Sequence, residues 1–414
     1  MATVLKSGEQ IQVFIDVGAT VDAFILDTSQ LNGIDVLDGN AFDDVAEFVQ
    51  SLSIARGRSS QLDQFSAGRC TVTLLNNDRR FDPINELSPY WDAATSRSGF
   101  TPRRRIRVTL NGLDVYVGRI ADIDVNYDFE LSTVTLTAVD DFVLLANTFT
   151  GAAFTPSEQL SGARVESILD LAAVDYPATR DISTGVTTLG AYQVDANTNA
   201  LSYLQACAEA ERGYFYVAAN GDLTFTNRAD VTFIPSIVTT FTDGGGGLPY
   251  QALDVIYGQE LLYNRIQVTR ESGTLQTAND LTSQATFGVS TYAIDNVLLA
   301  SDLQASTLAD SLLNQYSEPR YRFDNLRVNT LAFTNLQRDA VNTLELGTVV
   351  NVIRTYDSGY PLSVTQSYLI ERISHLITPG SHTIEFGLRY ADLVNTFLLD
   401  DVVFGVLDAD NALT

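Results

Sequence analysis

The stretch from Ile54 to Pro83, IARGRSSQLDQFSAGRCTVTLLNNDRRFDP, constrains the fold of this chain more than any other. Thr71 to Leu75 is a β-branched and apolar run of strand length. Ala67-Gly68 precedes this run and Asn76-Asn77-Asp78 follows it, and both are typical of turns. Pro83 disfavours a helical backbone at Asp82. The stretch therefore predicts a strand between two turns, as part of a β-rich domain.

Apolar and alternating runs recur through residues 1–148 and predict an N-terminal β domain there. The runs are Gln12–Ile15, Val21–Leu26, Arg105–Leu110, Val115–Val117, Ile120–Val125 and Thr133–Val139. Asn32-Gly33 and Asp38-Gly39 mark a loop, and Asn111-Gly112 is a strong hairpin signal. Six or seven strands suffice for a small barrel or a sandwich.

Residues 149–243 mix helical and strand patterns, and we predict a small α+β domain there. One helical face carries Val165, Ile168, Leu169 and Ala172, and a second carries Leu201, Leu204 and Ala208. Thr198 or Asn199 is the expected cap of the second helix, and Gly213 is its stop. Tyr214–Val217 and Leu223–Phe225, separated by a turn, predict a hairpin.

Residues 244–392 are predicted to form a second β-rich, barrel-like domain with one helix. The glycine run at 244–247 lacks the lysine that follows a phosphate-binding loop, so we interpret it as a connection. Ser301 and Gln304 form a capping box for a helix to Tyr316. The expected strands are Tyr263–Arg270, Asn325–Ala332, Val349–Thr355, Ser367–Leu376 and Ser381–Arg389. Residues 393–414 form an acidic C-terminal tail.

Two parts of the chain share a short, gapped pattern. Tyr116 to Ile120 is followed by a turn and the strand Thr133 to Val139, and Tyr368 to Ile373 is followed by a turn and the strand Thr383 to Leu388. Chance is one explanation of this match. The other is that the chain contains two similar β domains.

The net charge of −26 over 414 residues opposes tight binding of nucleic acid, which requires basic side chains at the phosphates. The charge is uneven. Residues 1–50 carry nine carboxylates and one lysine, residues 51–107 carry ten arginines and five carboxylates, and residues 391–414 carry five aspartates and no base. These segments are expected to meet either within one protomer or between copies in a ring.

Catalytic and metal-binding motifs are absent from the sequence, and we expect neither an enzyme nor a cofactor or metal site. There is no HExxH, GxSxG, CxxC or Walker lysine. His375 and His382 flank a turn within reach of each other, but a metal needs further ligands, and hydrogen-bonded or solvated loop histidines are the favoured interpretation. A glycosidase needs only two carboxylates, which a sequence alone does not exclude.

Two remaining features have structural interpretations. Tyr90 and Trp91 suit a carbohydrate platform, but packing against the preceding RFDPINELSP loop is favoured. Cys70 and Cys207 fall in different predicted domains, and we expect free, buried thiols in a protein assembled in a reducing cytoplasm. The N-terminus lacks the apolar core of a signal peptide, and no apolar run has membrane-spanning length, so membrane insertion is not expected.

The order ARGR, a polar stretch, then AGR-TVTL-NNDRRFDP resembles the minor tail and tail-tip hub proteins of long-tailed phages. In them a pattern like RGR…L..F.AG..TVTL.N.D.RFDP recurs near the N-terminus. The predicted helix before Gly213, followed by the stretch from Gly213 to Arg228, is similar to their second domain. The resemblance implies a mainly β fold with two tail-tube-like β-barrel domains and a small mixed domain.

The function implied by this resemblance is that of a hub ring in the virion, at the tail tip. Such a ring is a homo-oligomer, expected to be a trimer that adapts a sixfold tail tube to a threefold tip. Implied partners are the distal tail protein, the tape-measure protein, and tail fibres or a central tip protein, with DNA passing through the lumen without specific binding during genome ejection. Alternatives are a hexameric distal tail ring, a receptor-binding tail protein, and a tail-associated cell-wall hydrolase.

Contact residues are the candidate functional residues of a protein with this role. The motif contains Arg56, Arg58, Arg79, Arg80 and Asp82. We expect these residues to form arginine–carboxylate bonds that hold loops of the first domain or its subunit contacts. Arg103, Arg104 and Arg105 are too dense to be all paired within one fold. They are the candidates for a contact with another subunit or another protein.

Overall fold

A computed structural model describes residues 3–17, 42–93, 95–128, 131–232 and 238–391. The predicted segment Val21–Leu26, the loop signals at Asn32-Gly33 and Asp38-Gly39, and the acidic tail 393–414 lie outside the described residues. In the described part, no helix is long and apolar enough to cross a membrane.

The described chain up to Val139 forms the first β region, whose strands do not lie side by side in chain order. Its strands are β1 (Thr3–Val4), β2 (Gln10–Asp16), β3 (Phe42–Asp44), β4 (Val49–Gly57), β5 (Ser66–Leu75), β6 (Trp91–Asp92), β7 (Arg97–Ser98), β8 (Arg105–Leu110), β9 (Leu113–Asn126) and β10 (Thr133–Val139), with a 3-10 turn at Ala46–Phe48. Seven of them are hydrogen-bonded in the order β1-β2-β8-β9-β10-β5-β4, and all these pairs are antiparallel.

Strand β5 confirms the strand predicted at Thr71–Leu75 and extends it back to Ser66. Its side chains alternate, so that Cys70, Val72 and Leu74 are buried. The hairpin predicted at Asn111-Gly112 is also confirmed: both residues have positive φ, 50° and 81°, as a tight primed turn requires.

Strand β9 differs from the prediction of two separate segments, because it runs through Gly118 without a turn. Its first half pairs with β8 and its second half with β10, so both halves have partners in one continuous strand.

Helices dominate the middle part of the chain. Its elements are α1 (Phe142–Ala146), β11 (Gln159–Leu160), α2 (Ser161–Leu169), β12 (Arg180–Ile182), β13 (Thr188–Leu189), α3 (Ala200–Glu211), β14 (Tyr214–Val217), β15 (Leu223–Thr226) and α4 (Arg228–Thr232). Asn199, one of the two predicted caps, caps α3: its side chain accepts a hydrogen bond from the Ser202 amide. Helix α2 ends at Leu169, before the predicted Ala172.

The last part returns to strands. It contains β16 (Thr239–Thr242), β17 (Leu248–Pro249), β18 (Ala252–Ile256), β19 (Arg265–Arg270), β20 (Gln276–Asn279), α5 (Leu281–Phe287), β21 (Thr291–Val297), α6 (Asp302–Tyr316), β22 (Arg322–Asn329), a 3-10 turn at Thr330–Ala332, α7 (Asn335–Asn342), β23 (Val349–Thr355), β24 (Ser363–Thr378) and β25 (Ser381–Tyr390). The capping box of Ser301 and Gln304 begins α6 as predicted. Helices α5 and α7 were not predicted.

Strand β24 joins the two large β regions. Residues 363–369 pair with β23, and residues 372–377 pair with β4 of the first region. Strand β25 runs along the other edge of β24 and pairs in turn with β22. One fifteen-stranded sheet results.

The mainly β class, with a minor α+β part, is confirmed, but the expected closed barrels are not found among the described residues. The strand order of the described residues ends at β1 and β17, with side branches that end at β3 and at β18. Strands β1 and β17 are two residues long and β18 is five. The two β regions share β24 instead of each closing on itself.

Three hydrophobic cores underlie this architecture. One lies within the first β region and includes Val13, Val72 and Leu136, and another lies within the second and includes Phe323 and Ile384. The remaining core packs α2 and α3 against β19 and α6. Because it joins side chains from both sides of position 243, the limits 1–148, 149–243 and 244–392 remain predictions.

Candidate functional site

Arg56 and Arg58, at the end of β4, contact the last part of the chain. The Arg56 guanidinium lies 2.7 Å from Oε1 of Glu345, and its side chain is 4% exposed. Arg58 forms an ion pair with Glu371, and its amide donates to the Glu371 carbonyl at 3.0 Å. Since Glu371 lies in β24, Arg58 reinforces the junction at which β4 and β24 pair, and Arg56 connects the same end of β4 with the segment before β23.

Glu371 is the centre of a buried charge cluster. Nε of Arg389 donates to its Oε1 at 2.6 Å, and the Tyr214 hydroxyl donates to the same oxygen. Burial opposes ionisation of Glu371, but the charges of Arg58 and Arg389 outweigh it and hold the pKa of Glu371 below its ordinary value. The Arg58 guanidinium also lies over the rings of Phe65 and Tyr214, at 4.7 and 5.1 Å from their centroids. The cluster therefore connects β4, β14, β24 and β25.

Arg79, Arg80 and Asp82 act within their own loop. Nη2 of Arg79 lies 2.7 Å from Oδ2 of Asp82, which also accepts from the Tyr127 hydroxyl at 2.5 Å. Burial opposes ionisation of Asp82, and the bonds from Tyr127 and Arg79 overcome it, so its pKa is lowered. Arg80 pairs with Asp78 at 2.7 Å. These bonds fix the loop that follows β5.

The Arg103–Arg105 run is only partly paired within the chain. Arg104 lies 3.7 Å from Asp16. Arg103 is exposed and has a positive φ of 69°. Neither Arg103 nor Arg105 has a carboxylate within ion-pair distance in the part of the chain that the structure describes. Contacts with another subunit or protein remain a prediction for this run, and for Arg56, Arg58, Arg79, Arg80 and Asp82.

A cavity of about 450 Å³ lies beside the Glu371 cluster. Its wall contains five arginines and two carboxylates among the described residues: Arg58, Arg212, Arg228, Arg320, Arg389, Asp63 and Glu209. Helix α6 supplies an apolar wall with Leu308, Leu312 and Tyr316. We call this feature the arginine cavity.

Sequence reasoning identified only Arg58 among the five arginines of this cavity. The others lie singly along the chain, and no motif or spacing marks them. Arg212 follows α3 in the left-handed conformation, with φ 57°. Arg228 begins α4, and Arg389 lies in β25. The five arginines therefore come from five separate segments, and the cavity results from their packing.

The two histidines face each other across the β24–β25 hairpin. Nδ1 of His375 lies 3.1 Å from Nε2 of His382, and both side chains are buried in strands instead of lying in a loop. Nδ1 of His382 donates to the Glu9 carboxylate. No group of three or more histidine, cysteine, aspartate or glutamate side chains that could hold a metal ion occurs among the described residues.

Tyr90 and the two cysteines are buried in the core. Tyr90 is 2% exposed, stacks on Phe81 at 5.7 Å and donates to Asp43 at 2.6 Å, which confirms packing against the preceding loop. Cys70 and Cys207 are free and buried, as predicted.

The fold that these contacts stabilise is that of phage tail proteins. The crystal structure of the 43 kDa tail protein of prophage MuSo2 from Shewanella oneidensis matches 93% of this chain and 99% of its own, with a TM-score of 0.58 and 12% sequence identity. The tail protein from Neisseria meningitidis MC58 matches 92% of this chain and 96% of its own, with a TM-score of 0.60 and 10% identity. No protein-family model and no curated protein sequence matches this chain. The resemblance inferred from the Ile54–Pro83 stretch is thus confirmed at the level of the fold.

Proposed function

We propose that this protein is a non-enzymatic structural component of a phage tail, and specifically a hub ring at the tail tip. The observation that carries this proposal is the match with two tail proteins over more than nine tenths of each chain. The match is therefore not limited to a single module of the chain.

The junction at β24 suits a subunit that transmits force within a tail. A subunit at the end of a tail tube transmits force between neighbouring proteins, so its two β regions must not separate. Here they share hydrogen bonds along β24, and buried ion pairs from Arg56 and Arg58 cross the same junction. This continuity favours one rigid body over two domains on a linker.

Trimeric assembly is the second part of the proposal. In hairpin β9–β10 the two strands pair antiparallel with one register shift, and the same holds for hairpin β24–β25. This agrees with the similarity between the sequences of the two hairpins. Three copies with two such regions each would present six similar surfaces to a sixfold tube and three to the tip. The net charge of −26 suits a ring around DNA, because an acidic lumen repels phosphates and lets the genome slide.

The mass of the purified protein in solution, measured by light scattering, tests this assembly, and negative-stain averaging tests its shape. We expect a trimer with a central opening. A hexameric ring would support a distal tail component instead, and a compact monomer at all concentrations would contradict the ring.

Charge-reversal variants sharpen this test. Arg103→Glu with Arg105→Glu should weaken assembly without changing the unfolding transition, because neither arginine has a carboxylate partner among the described residues. Lys6→Glu, a charge reversal at a single exposed residue, is the control. The non-enzymatic part of the proposal has a separate test. Purified cell envelopes that are incubated with the protein should remain intact. Hydrolysis that disappears when one carboxylate is changed to its amide would overturn it.

A further inference from the structure

The arginine cavity has a positive wall in a protein of strongly negative net charge. Five arginines face two carboxylates in the described wall, and the neighbouring Glu371 neutralises at most part of the excess. Positive charge concentrated in a concave, partly apolar site attracts anions.

Two of these arginines are not neutralised within the described structure. Arg212 and Arg228 have no carboxylate within ion-pair distance among the described residues, and both are only half-buried. A guanidinium group pairs best with a carboxylate or a phosphate, to which it donates two parallel hydrogen bonds. The site is therefore arranged for an anionic partner that reaches it from outside the described structure.

The apolar part of the wall narrows the class of anion. Leu308 and Leu312 of α6 are buried next to the guanidinium groups, and Phe65 and Phe215 lie in the same wall. A free phosphate or a nucleic-acid backbone offers nothing to these side chains. An acidic peptide with apolar side chains satisfies both parts of the wall.

The chain itself contains such a segment directly next to the cavity. Ala391 is part of the cavity wall, and the sequence continues from it as DLVNTFLLDDVVFGVLDADNALT, residues 392–414. This segment has five aspartates, no basic residue, and clusters of leucine, valine and phenylalanine. Its charge and its apolar content complement the cavity, and its attachment at Ala391 gives it a high effective concentration there.

We propose that the arginine cavity is the docking site of the C-terminal segment 392–414 of the same chain. The aspartates pair with Arg212 and Arg228, and the apolar side chains pack against α6. This inference goes beyond the tail role and does not depend on it, because it concerns contacts within one chain.

Distance measurement between two spin labels tests the proposal in the full-length protein. One label is placed at Asn314→Cys, in the cavity wall, and the other at Thr396→Cys. Cys70 and Cys207 are buried, and burial raises the pKa of both thiols, so the introduced cysteines react selectively. We expect a narrow distribution at short distance. A broad distribution in the parent protein would overturn the proposal.

Charge variants supply the controls. Arg212→Glu with Arg228→Glu should broaden the distribution and shift it to longer distance, and Asp400→Asn with Asp401→Asn should do the same. Arg103→Glu, outside the cavity, should leave it unchanged. Identical distributions in all three variants would contradict the proposed pairing.

A third experiment distinguishes docking within one chain from docking between two copies. In it, the labelled protein is mixed with an excess of unlabelled protein. The short distance should persist, because both labels belong to one chain. Its loss on mixing would overturn the proposal in favour of a segment donated by a neighbouring copy.

Discussion

The Nδ1 atom of His382 lies 2.9 Å from Oε2 of Glu9, and both side chains are completely buried. Glu9 also accepts hydrogen bonds from three other side chains, those of Ser7, Thr330 and Asn342. The carboxylate thus connects the start of β2 with β25 and with α7. A buried carboxylate is costly unless its lone pairs are satisfied, and here four donors satisfy them.

Acid should weaken this connection. Burial raises the pKa of Glu9, but the bonds from His382, Asn342 and Thr330 outweigh it and lower the pKa from 4.5 to about 2. Because the folded pKa is the lower one, the stabilisation is complete above pH 4.5 and is lost as the pH falls towards 2. Urea unfolding at a series of pH values should show Glu9→Gln to be less stable at pH 7, with a flatter decline below pH 4.5.

Glu47→Gln is the control for this experiment, since Glu47 is exposed in the 3-10 turn. It should follow the parent protein over the whole range. Burial and the charge of His382 also lower the pKa of His375, which adds a loss of stability at acid pH that both variants retain. A decline in Glu9→Gln as steep as in the parent would contradict the assigned role of Glu9.

Glu371→Gln should destabilise the protein strongly. The change leaves Arg58 and Arg389 buried without their counter-charge, and breaking a buried ion pair in this way costs about 3–5 kcal/mol. Asp170→Asn is the matched control, because Asp170 is 67% exposed and its partner Arg180 keeps Glu166. An exposed pair contributes about 1 kcal/mol or less. Equal free energies of unfolding for the two variants would argue against a buried cluster at β24.

Gly57→Ala should disrupt the junction of β4 with β24. A Cβ atom at this position would lie 2.2 Å from the carbonyl oxygen of Glu371, and the backbone has φ 110°. Gly112→Ala has a comparable positive φ, 81°, but its Cβ would have no neighbour within 4 Å. Thermal unfolding should therefore show a small loss for Gly112→Ala and a much larger loss for Gly57→Ala. Similar losses would indicate that backbone strain alone, and not the close approach, requires the glycine.

Neither native cysteine should react in the folded protein. Burial raises the pKa of the Cys70 thiol well above its usual range and that of the Cys207 thiol to about 12, so almost no thiolate forms at neutral pH. A maleimide reagent followed by mass spectrometry should find no modification in buffer and two in denaturant. Rapid modification of one thiol in buffer would show that the core around it opens locally.

Local structure could be predicted well from the sequence. The Asn111-Gly112 hairpin, the capping box at Ser301 and the strand Val349–Thr355 were predicted from a few adjacent residues, and each is confirmed. Helix α7 was missed although Thr334 and Gln337 form a capping box, because its short apolar face gives little periodicity. The closed barrels were expected by resemblance, whereas among the described residues strand β24 joins the two β regions into one sheet.

What the sequence by itself determined is the set of local conformations and the distribution of charge, since turns, caps and alternation depend on neighbours only a few positions away. What only the tertiary structure decided is which charges meet. Arg58 and Glu371 are 313 positions apart, and Glu9 and His382 are 373 apart. An arginine in a sequence pairs equally well with any of many carboxylates, and only the packing of β4, β24 and β25 selects one. The arginine cavity has the same origin, because it exists only where separately encoded segments fold against one another.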